Sequence, residues 1–533
     1  MARCAPPWLN EPPELASPAA PSHSAPMLNL SPGPSLGSLL LHGLALFGLL
    51  SSPALAAPPQ ASELDQARSK YGLAPERECT EATEICVRLN NVEAVELMLS
   101  VLRMWENRGG NFLPQAHYRD VVWGGLVRIT DPYARRRVAV ELAESKSEWV
   151  RQWCVEVLGE YKDANFGEPA NKALRDREVG VQRAAARACG KMKFEGAQKA
   201  LVGLVGDKDE ILRANAVEAL CRIDPAAHRA ALVKALKDKD GGVRCALLAA
   251  AAECYPGEHE AWSTAALADA DWRPRMQAVD NLGGVRTKTA VDALVRALGD
   301  GRPAVAARAI ARLQELTREK HRSKATWEAW WRDNRETFTF PEGAAPAGGD
   351  DGPRTVAYHG VQVNSDHTAF LIDKSEAMNG ALKSASSSKA VAAQKELEAV
   401  LEKLEGQLTY NVFTYAENVN VFEEKGPVEL TAKSRKRALE FVEKAPRGRS
   451  KDIWKLLEQV ISDPDLDTAF LLSSGEPDIG TYVHWNRVTW HLRELNRFHK
   501  VVVHTIVYSD SDWYRQQLEK ISEVTGGEHR AFD

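Results

Sequence analysis

The chain carries little net charge for its length. Over 533 residues the formal balance is −5, so the whole-molecule field favours neither a polyanion partner nor an anionic membrane surface, and charge-driven binding must be local. Beyond residue 57 it also lacks the short motifs of catalytic and cofactor chemistry: no Walker A loop, HExxH, GxSxG or Rossmann fingerprint occurs there. His359, His367, His484, His491, His499 and His504 are scattered, and an isolated imidazole is more often core or surface than catalytic. No CxxC or Cys/His cluster supports zinc. Beyond residue 57 no apolar run reaches the roughly 20 residues that a membrane-crossing helix needs. What is left is a soluble globular chain, 26% charged and 44% apolar, of two or three domains, with no enzymatic activity expected.

The N-terminal end differs in kind. Pro, Ser and Ala dominate to Ser35, the run LGSLLLHGLALFGLL follows, and Ala54-Leu55-Ala56 precedes AAPPQ. That is the layout of a secretory signal and its cleavage site, and 15 residues interrupted by glycine are too few to span a bilayer comfortably. Basic residues ahead of the run are sparse: Arg3 lies far upstream, and a start at Met27 instead of Met1 leaves only the terminal amine and His42. The competing reading is a disordered Pro-rich leader. A leader and signal over 1–57 implies an exported protein, periplasmic, in the cell envelope or secreted, with no transmembrane segment after cleavage. Seven cysteines follow Ala56, an odd number that leaves at least one free or paired between chains. Cys79 and Cys86 are the foremost candidates for a pair, but seven residues along one helix separate them by about 10 Å, too far to bridge without a break. Cys154, Cys189, Cys221, Cys245 and Cys254 fall at helical positions and read as small buried side chains.

From about 116 to 317 the chain repeats itself. Val150, Val181, Leu212, Val243, Pro274 and Val305 are spaced by 31 residues, as are Leu158, Cys189, Leu220, Ala251, Leu282 and Leu313. Leu174, Val205, Leu236, Leu267 and Leu298 keep the same interval, and so do Asp176, Asp207, Asp238, Asp269 and Asp300. Such columns predict a helix-turn-helix solenoid whose units share one continuous core. Arg151, Arg213, Arg244 and Arg275 form a further column from which Gln182 and Ala306 depart. It is either a basic stripe for an acidic partner or a ladder paired with the turn aspartates, and the registered aspartates favour the ladder. In RSKATWEAWWRDNRETF, Trp327, Trp330 and Trp331 at i, i+3, i+4 predict a cap over the open end of the core. The period of 31, with Asp closing one helix and Val-Arg opening the next, resembles HEAT repeats of the short bacterial type. The solenoid with its cap is placed at 116–340, after a helical N-terminal cap at 58–115.

PEGAAPAGGDDGP reads as a flexible linker over 341–353. In the following domain, 354–533, strand-like runs at 369–373, 408–415, 419–422, 468–474 and 501–508 alternate with helical runs at 385–404, 432–444, 452–462, 485–498 and 511–524. This predicts a doubly wound α/β domain with a mostly parallel sheet, whose ligands bind at the carboxyl ends of strands, where Asp373 and Ser474 fall. DHTAFLIDKSEAMNG, NVFTYAENVNVF, FLLSSGEPDIG and VVVHTIVYSD resemble successive strands of a von Willebrand factor A (VWA) domain. The fold class expected is therefore an all-α HEAT-like solenoid followed by an α/β VWA (Rossmann-like) domain.

That resemblance implies a metal-ion-dependent adhesion site built from Asp-x-Ser-x-Ser, a Thr on a second loop and an Asp after the fourth strand. Asp373 and Ser375 match; Ala377 replaces a hydroxyl, Ser474 stands where the second carboxylate belongs, and the Thr corresponds to Ser450, although the spacing also permits Lys451. Mg²⁺ or another divalent cation wants about six hard oxygens, so a site reduced to Asp373, Ser375, Ser450 and Ser474 is weakened. Glu476 and Asp478, with Glu376, lie on the same loops. Lys374, Arg449 and Lys451 offer a different device, a side-chain cation at the rim in place of a metal. The function expected is an exported non-enzymatic scaffold: the solenoid presents a docking surface and the VWA domain recognises a protein ligand, with or without a metal, and no nucleic acid is involved. A purely structural VWA domain and, last, an accessory subunit of an envelope enzyme are the alternatives.

Overall fold

Each aspartate of the 31-residue column folds back on the backbone two residues ahead. The carboxylates of Asp176, Asp207, Asp238, Asp269 and Asp300 accept from the amides of Glu178, Asp209, Asp240, Asp271 and Arg302 at 2.8–3.0 Å. This Asx turn ends one helix and aims the chain into the next. In the three D-x-D copies the second aspartate, Asp209, Asp240 or Asp271, then caps the new helix with its side chain.

The computed structural model describes residues 59–71, 76–104, 116–342 and 356–533; the expected leader and nearly all of the expected linker lie outside them. The helical array opens with α1 (Pro59–Tyr71), α2 (Glu76–Leu89), α3 (Val92–Met104) and α4 (Ala116–Val127). Pairs follow: α5 (Pro132–Glu144) with α6 (Glu148–Glu160), α7 (Gly167–Ala173) with α8 (Val179–Lys191), and α9 (Gln198–Leu204) with α10 (Glu210–Ile223). Next come α11 (Arg229–Ala235) with α12 (Gly241–Cys254), α13 (His259–Ala266) with α14 (Trp272–Gly283), and α15 (Lys288–Ala297) with α16 (Pro303–Thr317), and α17 (Lys324–Asn334) closes the array. The column from Val150 to Val305 is buried throughout.

The arginine column is a ladder. Arg151, Arg213, Arg244 and Arg275 each fork onto Asp176, Asp238, Asp269 and Asp300 of the next unit at 2.6–3.2 Å. Gln182, which breaks the column, donates to the Asp176 carbonyl instead, at 2.6 Å. At the far end Trp327 and Trp331 are buried, as a cap requires. Cys79 and Cys86 are both buried, and α2 runs through them without the break that a disulfide between them would need.

The C-terminal domain contains β1 (Ala357–Tyr358), β2 (Val361–Gln362), β3 (His367–Asp373), β4 (Ala381–Leu382), β5 (Ser387–Ser388) and α18 (Lys389–Lys403). Then come β6 (Thr409–Tyr415), β7 (Val419–Val421), β8 (Val428–Glu429), α19 (Ala432–Lys444) and α20 (Ile453–Ile461). It finishes with β9 (Thr468–Ser473), α21 (Trp485–His499), β10 (Val502–Tyr508), α22 (Asp512–Thr525) and β11 (His529–Phe532). The main sheet runs β11-β10-β9-β3-β6-β7, parallel except for β7. Both faces are covered: Ala369 and Leu371 enter one core, Phe370 and Ile372 the other. The helix expected from residue 385 begins at Lys389, because Ser387 and Ser388 pair with β4 and Ser388 serves as the cap.

Within residues 57–533 the array and this domain form one compact unit. The α/β domain is held by the second helices of the pairs. On α21, Arg487 meets Glu156 at 2.5 Å with both side chains 1% exposed, Trp490 meets Trp123 edge-on at 5.2 Å, Glu494 pairs with Arg187 at 3.4 Å, and Arg497 pairs with Glu218. These positions recur every three or four residues and share one helix face. The contact extends from α4, where Asp120 accepts from the Val483 and His484 amides, to α16, where Arg308 donates to the Thr525 carbonyl at 3.1 Å. The second helices of the array therefore receive the chain's own C-terminal domain. Among the described residues no helix is long and apolar enough to cross a membrane.

Two core histidines make stability depend on pH. Burial lowers His359 and His504 from 6.5 to about 4, so both stay neutral in the folded chain while the unfolded chain protonates them. The unfolded state binds the extra protons, and stability present above pH 6.5 is lost as pH falls toward 4. Each histidine should cost about 1.4 kcal/mol per pH unit across that window. The urea midpoint should accordingly drop between about pH 7 and about pH 5; a flat midpoint would contradict it.

Candidate functional site at the strand ends

Asp373 ends β3 between two parallel neighbours, β6 and β9, which delivers its carboxylate to the carboxyl edge of the sheet. Four loops meet there. Ser375 follows β3, Ser474 follows β9, Glu417 follows β6, and the segment between α19 and α20 closes the fourth side through a parallel bridge from Gly448 to Ser375. Glu417 fixes that segment by accepting from the Arg449 and Ser450 amides at 2.9 and 3.4 Å. Gly448 has no room for a side chain, since a Cβ would lie 2.4 Å from the Glu417 carboxylate.

The Asp373 carboxylate is buried and engaged on both oxygens. Oδ1 accepts from the Ser375 amide at 2.7 Å, and Oδ2 accepts from the Ser474 amide at 2.9 Å and its hydroxyl at 2.7 Å. Ser375 and Ser474 hydroxyls lie 3.4 Å apart. Sequence-selected Asp373, Ser375 and Ser474 are thus brought together. Ser450 is not: it makes no side-chain hydrogen bond to any of the three.

The three basic candidates separate. Lys374 turns back to the Val442 carbonyl at 2.7 Å, half-buried, its pKa lowered by that burial. Arg449 is exposed and lies 3.5 Å from Glu376. Lys451 is 5% exposed, and its ammonium lies so close over Gly475 that a Cβ there would be 2.6 Å away. No hydrogen bond or ion pair holds that ammonium among the described residues. Its backbone is pinned, because the amide donates to Asp478 Oδ1 at 2.5 Å and the carbonyl accepts from the Asp478 and Ile479 amides. Asp478 is thereby committed to a loop contact, and Glu476 is exposed.

Two contributors were not singled out from the sequence. Glu417 is an ordinary acid after a strand, with no pattern to mark it. Lys389, at the start of α18, is lowered by burial, drawn back up by Asp510 and Asp373, and pushed down by Lys451, which places a second cation in the field of Asp373. At the opposite end of the sheet, Asp366, His367 and Asp467 offer donor atoms within 4.8 Å of one another. Asp467 already accepts from Ser365 and Thr468 and faces Arg302 of α16 at 3.3 Å, so this cluster serves the contact with the helical array.

HEAT repeats are matched over residues 136–220. Similar solved structures include a von Willebrand factor type A protein from Catenulispora acidiphila, 15% identical over 32% of this chain and 40% of that one, TM-score 0.27. This chain thus spans two fifths of the length of that protein. The complex of CpcE and CpcF of phycocyanin lyase from Nostoc sp. is 17% identical over 41% and 86%, TM-score 0.29, and human deoxyhypusine hydroxylase 16% over 48% and 96%, TM-score 0.22. No curated protein matches the chain.

Proposed function

We propose that this chain, a HEAT-repeat array joined to a VWA-like α/β domain, is an exported, non-enzymatic protein-binding scaffold that recognises an acidic group of a protein ligand with a lysine instead of a metal. One observation carries it. The largely buried Lys451 side chain brings its ammonium over Gly475, next to Ser474 on the loop after β9, and no hydrogen bond or ion pair among the described residues occupies it, so it is available to pair with an opposite charge.

Charge arithmetic supports the exchange. In the site that the resemblance implies, a divalent ion and a second carboxylate together supply one positive charge beside the first aspartate. Lys451 and the neutral Ser474 supply the same. The oxygens that remain do not fit Mg²⁺: one carboxylate with both oxygens engaged and two hydroxyls fall short of about six ligands, and the lysine ammonium repels a second cation.

Thermal melting of the whole chain should therefore be unchanged by millimolar Mg²⁺ or by chelator, whereas a native-state ligand would raise the midpoint. Peptides bearing Asp or Glu should bind the chain in the presence of chelator and weaken about 10- to 100-fold in Lys451→Met, since hydrogen bonds to charged groups contribute about 1.5–3 kcal/mol. A metal-induced rise in the midpoint, or acidic-peptide binding untouched by the substitution, would overturn this assignment. The contact along the whole array favours a second reading, an α/β domain that only braces the solenoid; that reading gains if no acidic peptide binds at all.

A further inference from the structure

We propose that Cys221 and Cys254 are a disulfide-forming pair, a covalent staple between two neighbouring repeats. Their helices, α10 and α12, pack side by side, and polar contacts on both sides fix the register. Arg222 lies 3.5 Å from Glu253, and the Tyr255 hydroxyl donates to the Pro225 carbonyl at 2.5 Å. Cys221 and Cys254 are 33 residues apart, the same separation at which Asn281 reaches the Leu248 carbonyl and Arg273 reaches Asp240 across adjacent second helices.

The two thiols differ in the way thiol–disulfide exchange requires. Cys221 is fully buried, while Cys254 is partly exposed at the last residue of α12. A hydrogen bond from the Cys221 thiol lowers Cys254, helped by Arg222 and Lys193, and the same contact together with burial raises Cys221. Cys254, the more exposed and more acidic of the two, is thus the attacking sulfur, and buried Cys221 the one that resolves the mixed disulfide. Burial instead raises Cys86 to about 11 and Cys189 and Cys245 to about 12, which leaves those thiols inert.

With a small disulfide as oxidant, the Cys254 thiolate attacks one sulfur, forms a mixed disulfide and expels a thiolate. Cys221 then loses its proton and attacks Cys254 Sγ, expelling the second thiolate. Two protein thiols are oxidised by two electrons, one disulfide is reduced to two thiols, and both protons end on the leaving groups. The staple would tie α10, which holds Arg497 through Glu218, to α12, where Gly242 lies under Phe498. It does not depend on the ligand-binding role of Lys451.

The test uses the full chain, reduced and then incubated with oxidised glutathione. Tryptic mapping should give peptide 214–222 linked to peptide 245–275, with fragment ions placing the bond on Cys254 and not Cys245. Thiol titration in denaturant should find two fewer than the eight cysteines of the chain. Cys221→Ser should retain glutathione on Cys254, and Cys254→Ser should leave Cys221 reduced. A stable glutathione adduct on Cys254 in the unsubstituted chain, or an unchanged thiol count, overturns the proposal.

Discussion

Arg487→Ala should destabilise the chain by about 3–5 kcal/mol, the scale expected when one member of a buried ion pair is removed. Both side chains of the Arg487–Glu156 pair are 1% exposed, so alanine would leave the buried Glu156 carboxylate with only Gln152 at 3.0 Å and Arg187 at 3.7 Å beside it. The loss exceeds the pair, because the Arg487 guanidinium also lies 3.9 Å from the Trp123 ring centroid and 5.0 Å from that of Trp490. Urea denaturation followed by tryptophan fluorescence measures it. Combining the change with Glu156→Gln should recover part of the stability, since the uncompensated charge is then gone. A single substitution within about 0.5 kcal/mol of the parent would show that the interface is wet rather than closed.

Trp327→Ala should cost a similar amount, about 3–5 kcal/mol, as large aromatic truncations in cores do. Trp327 is fully buried at the end of the array, edge-on to His321 at 5.1 Å and to Trp330 at 5.6 Å. Trp327→Phe should be far milder. The indole N–H of Trp327 is buried without a hydrogen-bond partner, so phenylalanine removes an unpaired donor along with part of the ring. Thermal melts of the two variants decide it: equal losses would mean that the ring volume matters less than its edge.

The array was legible because its physics recurs. A buried column, a turn aspartate and an arginine that forks onto the next turn repeat every 31 residues, and repetition converts weak local signals into a register. Strands β3, β6, β9 and β10 were legible as short apolar runs between helical ones, within a residue or two of their ends. The union of Asp373, Ser375 and Ser474 followed from all three lying at strand ends. The position of Lys451 did not follow, because the PRGRSKDIW segment offers several cations in a row, and only the loop geometry decides that Lys451 turns in while Arg449 turns out. The interface was illegible for a different reason. On α21, Arg487, Trp490, Glu494 and Arg497 look like the mixed face of a solvated helix, and their partners, Glu156, Trp123, Arg187 and Glu218, lie in four different helices hundreds of residues away.

The aspartate turns and the arginine rungs that tie most repeats to the next leave a solenoid free in principle to gain or lose a unit, since the units ask much the same of their neighbours. Here that freedom is gone. The α/β domain grips the array at Asp120 near one end and at Arg308 near the other, so it acts as a gauge of fixed span. Removing any 31-residue unit between them would preserve every rung and still leave one of the two grips without its counterpart, which makes the number of repeats a property of the C-terminal domain as much as of the array itself.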